Sequence, residues 1–160
     1  MYHTELTQIP GQYCVKVLDF EKTGQSHIHK FHQRVYTEID IMQLGSENPR
    51  VCDLVGAVFV SIQKVWIVMK RYHTTLQQHV RTNTNLLPTE REDLALQCVD
   101  LLQMVYKFLN VIHGDIKMDN IFVDLHHGKH TLVLGDFGNT TSTHHTTCVG
   151  FNPQRQHRGD

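Results

Sequence analysis

Residues 111–141, VIHGDIKMDNIFVDLHHGKHTLVLGDFGNTT, set two carboxylates and an amide, Asp115, Asn120 and Asp136, among segments patterned like buried strands. Polar groups in such surroundings cost free energy unless they are paired or used. Residues of these types suit phosphoryl transfer, which needs positioning and charge neutralisation more than covalent help. One carboxylate orients an acceptor hydroxyl and takes its proton. An amide oxygen and a second carboxylate hold Mg²⁺, which prefers hard oxygen ligands. A lysine, oriented by a glutamate, holds the phosphates that are not transferred. The chain supplies these types in the order Lys16, Glu38, Asp115, Asn120, Asp136.

The elements around them must bring them together. YCVKVLDF, residues 13–20, reads as a strand. Alternation puts Cys14, Lys16, Leu18 and Phe20 on one face, so Lys16 lies on an apolar side. It is either an edge lysine whose stem snorkels outward or a lysine facing a cleft. In residues 26–45, Ile28, Phe31, Val35, Ile39 and Met42 recur at helical steps, with Ser26 able to cap the start and Gly45 the end. Glu38 falls near that stripe and needs a partner, for which Lys16 is the candidate. VGAVFV and KVWIVM read as two strands joined around Ser61–Gln63, and KRYHTTLQQHV reads as a polar crossing segment. Pro88 and Thr89 open a long helix, with Thr89 and Glu92 fitting a capping box. Its apolar stripe is Leu94, Cys98, Leu101, Val105 and Leu109, widened by Leu102 and Phe108. NIFVDL and HTLVLGD follow as short strands about the turn HHGK. The expected class is α+β, with a small β-rich unit over 1–69, a mainly helical unit over 70–154 and a polar tail over 155–160.

HGDIKMDNIFV followed by GDFG, with Asp136 sixteen residues after Asn120, resembles the catalytic loop and metal-binding motif of protein kinases. DFG alone would say little; the combination is specific. CVKV resembles that family's strand carrying the ATP-contacting lysine, here Lys16, and Glu38 matches its helix partner. VWIVMKRY is similar to the strand and hinge that contact adenine, about Met69 to Tyr72. The resemblance implies a bilobal kinase-like fold and ATP with Mg²⁺. It also implies Asp115 as catalytic base, Lys117 on the transferring phosphate, and Asn120 and Asp136 as metal ligands. Asp115-x-Lys117 resembles the serine/threonine class.

Three departures qualify the likeness. Only fifteen residues precede Lys16, with one glycine, Gly11, and no GxGxxG, so part of the backbone cradle for phosphate is expected to be missing. Gly114 stands where the family has an arginine that pairs with an activation-loop phosphate, so activity is not expected to wait for that phosphorylation. CVGFNPQ loosely resembles the end of the activation segment, with Pro153 and Gln154, and the family's later helices do not follow it. A truncated C-terminal unit is therefore expected, with apolar surface on the Leu94–Leu109 helix left for a partner or a second copy. Kinases this compact resemble those of large DNA viruses.

A chain of 160 residues can hold one real core or two small lobes. A net charge of −1 implies no broad attraction to nucleic acid or membrane. No apolar run nears the roughly 20 residues of a membrane span, and MYHTELTQIPG lacks the pattern of a signal peptide. Cys14, Cys52, Cys98 and Cys148 form no CxxC pair, which fits a reducing, intracellular setting. Without an export signal, the Asn139 glycosylation match and the terminal RGD read as chance. Among thirteen histidines, His126, His127 and His130 cluster, as do His144 and His145, but no metal-binding spacing such as HExxH occurs, so they read as solvated loop residues. The leading expectation is a serine/threonine protein kinase acting on a protein substrate. The alternatives are a pseudokinase that regulates a partner kinase, a small-molecule phosphotransferase (HGD followed by Asn also resembles antibiotic and choline kinases), and a metal-binding histidine protein. Retention of all five polar residues favours nucleotide chemistry, and Lys117 with the intact DFG favours the protein-kinase branch.

Overall fold

The alternating segment around Lys16 forms the second strand of a four-stranded antiparallel sheet in the computed structural model, which describes residues 3–8, 11–20, 28–126 and 129–142. That sheet has the order β1-β2-β4-β3, from β1 (His3–Gln8), β2 (Tyr13–Asp19), β3 (Leu54–Ser61) and β4 (Lys64–Lys70). Lys16 pairs with Leu6 on one side and Ile67 on the other, so it sits inside the sheet and not at an edge. Helix α1 (Ile28–Leu44) covers one face, burying Phe31, Val35, Glu38 and Met42 along a single stripe. The helix ends just before Gly45, as its sequence predicts; its expected cap, Ser26, lies outside the described residues.

After α1 the chain returns beneath the sheet. Cys52 N–H donates to Leu134 O at 2.9 Å and Leu134 N–H to Arg50 O at 2.8 Å. This clamp joins the first unit to β8 (Lys129–Leu134), two residues before Asp136. The second unit holds β5 (Thr74–Thr75), α2 (Leu76–Thr82), α3 (Pro88–Lys107), β6 (Val111–Ile112), β7 (Ile121–His126), β8 and β9 (Thr141–Ser142). Its strands pair as β5-β7-β8 and β6-β9. One core of buried apolar residues runs through both units, from Leu18 and Ile67 to Leu101 and Leu132.

The structure corrects several local expectations. HTELTQ, with Leu6 as its one apolar residue, gives no strand pattern, yet β1 pairs along its length with β2. The polar crossing segment contains β5 and the short helix α2, capped where Thr75 Oγ1 accepts the Gln78 N–H at 3.2 Å. Helix α3 is capped by Glu90, whose carboxylate accepts the Leu87 N–H at 2.8 Å, and not by Thr89 with Glu92. Leu102 and Phe108 do not widen its buried stripe; they are 50% and 59% exposed. Gln97 lies within that stripe instead. Its Nε2 donates to His130 O at 3.1 Å and its Oε1 accepts Leu132 N–H at 3.0 Å, locking α3 to β8.

No helix among the described residues is long and apolar enough to cross a membrane. No three metal-ligating side chains among them meet around one point. His130 is not a solvated loop residue: it lies on β8, its ring edge-on to buried His79 at 4.6 Å. Of the other clustered histidines, His127, His144, His145 and the side chain of His126 lie outside the described residues.

His79 Nδ1 accepts from Asn83 Nδ2 at 3.2 Å, and its Nε2 is buried without a partner among the described residues. Burial, with His130 and His73 nearby, holds its pKa below the ordinary value. The unfolded chain, with a histidine pKa of about 6.5, therefore takes up the proton more readily than the folded one. Stability from this site is present above that pH and lost as pH falls through it. The melting temperature should drop from pH 7.5 to 5.5, and His79→Gln should flatten part of that slope. An unchanged slope in the variant, read by circular dichroism, would exclude His79 as a contributor.

Candidate active site

Lys16 is 7% exposed, its backbone held between β1 and β4. Its Nζ lies 2.6 Å from Glu38 Oε1 on α1 and 2.6 Å from Asp136 Oδ1 beyond β8. Burial opposes the ammonium, but the two carboxylates outweigh it and raise its pKa. Burial pushes Glu38 upward, Lys16 pulls it down and Asp136 adds repulsion, with a net rise. One cation thus faces two acids, leaving a local excess of negative charge when both are ionised.

Asp136 adopts the left-handed conformation, φ 61° and ψ 61°. For a residue with a Cβ this costs roughly 1–2 kcal/mol, so its surroundings must enforce it. Gly135 N–H donates to Asn120 O at 3.0 Å just before it. Phe137 is fully buried just after it, its ring 5.0 Å from that of His113. Gly135 admits no side chain here, because a Cβ would lie 2.6 Å from Phe122 Cε2.

The loop from His113 to Asn120 is tied to the same place. His113 Nε2 donates to Gly135 O at 3.0 Å, and its Nδ1 accepts Asp115 N–H at 3.3 Å. These partners assign the neutral tautomer, and burial lowers the pKa accordingly. Asp115 Oδ2 accepts from Lys117 Nζ at 2.7 Å and from Asn120 Nδ2 at 3.2 Å. The Lys117 hydrogen bond chiefly, with Asn120 assisting, holds Asp115 below the ordinary carboxylate range. Asn120 is buried, and its Nδ2 also donates to Asp115 O at 2.8 Å, leaving Oδ1 as its acceptor end. Gly114 has φ +80°, and a Cβ there would meet Asn139 O at 2.5 Å, so this backbone has no room for an arginine.

Two cavities share Lys16, Glu38 and Asp136 as a common wall. One, of about 170 Å³, is lined also by Met69, Asn120 and Phe122; the other, of about 360 Å³, adds Asp115, Lys117 and Arg34. Tyr72 lines neither cavity. Its ring stacks on Phe122 with centroids 5.4 Å apart and planes 6° from parallel, and its hydroxyl accepts Asp53 N–H at 3.0 Å. Among residues the sequence did not single out, Phe122 forms part of the wall and His113 fastens the loop. The histidine two residues before Asp115, at the start of HGD, could have pointed to His113; nothing local points to Phe122.

Removing Lys16 leaves two carboxylates facing each other with no cation between them. Lys16→Met should cost about 3–5 kcal/mol in urea unfolding, the scale for breaking a buried pair. Glu38→Gln should cost clearly less, because Lys16 keeps Asp136. Equal losses in the two variants would show that the shared ammonium is not what holds this region.

The family model described as Protein kinase domain matches residues 6–155, a span that contains Lys16, Glu38, the His113–Asn120 loop and Asp136. A match of that extent, over an α+β architecture with a β-rich first unit and a shared cleft, places the chain in a group whose domain carries kinase-type phosphotransfer: it belongs to the protein kinase family.

Proposed function

We propose that the chain transfers phosphate from ATP, with Mg²⁺, to serine or threonine hydroxyls of a protein substrate, in an intracellular setting. The observation that carries this reading is the Lys16 ammonium at 2.6 Å from both Glu38 and Asp136, on cavity walls that also bear Asp115, Lys117 and Asn120. The donor set fits a magnesium ion. Asp136 and the Oδ1 of Asn120 are hard oxygens, and the surplus negative charge beside Lys16 favours a divalent cation. These two residues would hold it, and when bound it would neutralise charge on the phosphates.

On this reading each residue has one task. Glu38 fixes the Lys16 ammonium, which binds the phosphates that are not transferred. Asp115, kept ionised by Lys117 and Asn120, orients the acceptor hydroxyl and accepts its proton. Lys117 steadies the charge on the phosphate in transfer. The chain at Met69 borders the base, with Phe122 as the floor and Tyr72 supporting it from behind by stacking on its ring. The spacing of Asp115 and Lys117 supports the serine/threonine class over the tyrosine class, and Lys117 with the intact DFG supports a protein over a small-molecule acceptor. Gly114 supports activity that does not depend on a phosphate captured by an arginine at that position.

A second reading, a nucleotide-binding decoy that regulates a partner kinase, is favoured by one observation. The connection between β1 and β2, residues 9–12, holds one glycine, Gly11, and no GxGxxG pattern. Two measurements separate the readings. Mg-ATP should raise the melting temperature, by an amount corresponding to about 2.7 kcal/mol at a hundredfold excess over Kd, and Asp136→Ala should remove the magnesium-dependent part. A rise that survives this change would overturn the metal assignment. Asp115→Asn should keep the Mg-ATP shift while phosphate transfer to a serine-containing peptide falls by about 10²–10⁴-fold. Binding without any transfer by the unaltered chain would favour the decoy.

A further inference from the structure

Helix α3 has a second apolar face. Leu96, Val99, Leu102 and Tyr106 are 60%, 51%, 50% and 66% exposed. Their steps of three, three and four residues stack them along one side of the helix, away from Leu94, Leu101 and Val105, which are buried in the core. A helix that covers a core usually turns charged residues outward. Here the charges stand at the ends and flank of the stripe: Glu92 near its start, Lys107 at its end and Asp100 to the side.

We propose that this face is an interface between two copies of the chain, with their α3 helices antiparallel about a two-fold axis. In that alignment Leu96 of each copy lies over Tyr106 of the other, and Val99 over Leu102. The same register brings Glu92 of each copy beside Lys107 of the other, so the charges at both ends match. A parallel pairing would set Glu92 against Glu92 and Lys107 against Lys107, which is repulsive. Antiparallel helices also oppose their dipoles favourably. Asp100, nearest the axis on the flank, is already engaged by Arg50 of its own chain at 3.6 Å. None of the residues lining the two central cavities lies on α3, so the interface goes beyond the phosphotransfer reading and is tested apart from it.

Sedimentation velocity on the full 160-residue chain should show a dimer that grows with concentration. Val99→Glu, placing a charge in each half of the desolvated centre, should raise the dimer Kd more than about a hundredfold. Val99 is half-exposed, so the melting temperature of the monomer should stay the same. Lys107→Glu should weaken the dimer about tenfold, with both ends of the interface affected, and adding Glu92→Lys should restore it. A chain that stays monomeric at all concentrations, a dimer indifferent to Val99→Glu, or a Lys107→Glu defect that Glu92→Lys leaves unrepaired would each overturn the proposal.

Discussion

A single buried ammonium governs the arrangement of this protein. Lys16 needs counter-charge once it leaves water, and that counter-charge comes from two distant places, Glu38 on α1 and Asp136 beyond β8. The sheet, the helix over it and the second unit are therefore fixed by the same atom. Backbone hydrogen bonds make the arrangement rigid. The Arg50–Leu134–Cys52 clamp sets β8 against the first unit, and His113 and Asn120 each bond to Gly135. The left-handed Asp136 is held from both sides, which is how strained backbone persists at a site that uses it.

Close approach, more than conformational freedom, explains the glycines beside this site. Gly135 brings Phe122 against the strand that leads to Asp136, and Gly114 brings the loop against Asn139. The second case changes the meaning of a sequence difference. Gly114 is not simply an arginine lost from an otherwise unchanged loop. The loop follows a path with φ +80° and no room for a side chain, so restoring arginine there would strain the backbone that presents Asp115.

The polar residues at the centre were legible because they break the patterns around them. Lys16 on an apolar strand face and Glu38 on an apolar helix stripe each call for a partner, and the structure pairs them. Asp115, Asn120 and Asp136 stood out for the same reason, and their spacing carried the family resemblance. What stayed hidden lacks local pattern. Strand β1 is held by backbone pairing with β2, which polar side chains neither favour nor prevent. Helix α2 has a serviceable cap in Thr75 but only seven residues, too few for a period to show. Phe122 owes its place to Tyr72, fifty residues earlier, and to the space that Gly135 leaves. Such contacts follow from the assembled fold and not from any one segment.

The electrostatics of the cleft bear on how nucleotide and metal would act together. Lys16 is shared by Glu38 and Asp136, and Lys117 is engaged with Asp115. Both lysines thus already answer carboxylates, and Lys117 is half-exposed, where water weakens its field. A polyphosphate entering alone would bring several negative charges toward three acids. A divalent cation alone would find Asp136 partly satisfied by Lys16. On the proposed function, the cation would take up Asp136 and the phosphates would take up Lys16, so each would relieve what opposes the other. Binding of the two should therefore be positively linked, with Lys16 moving its second bond from carboxylate to phosphate while Glu38 keeps the first. The buried glutamate, 2.6 Å from Lys16 Nζ, would allow that exchange without releasing the ammonium to water.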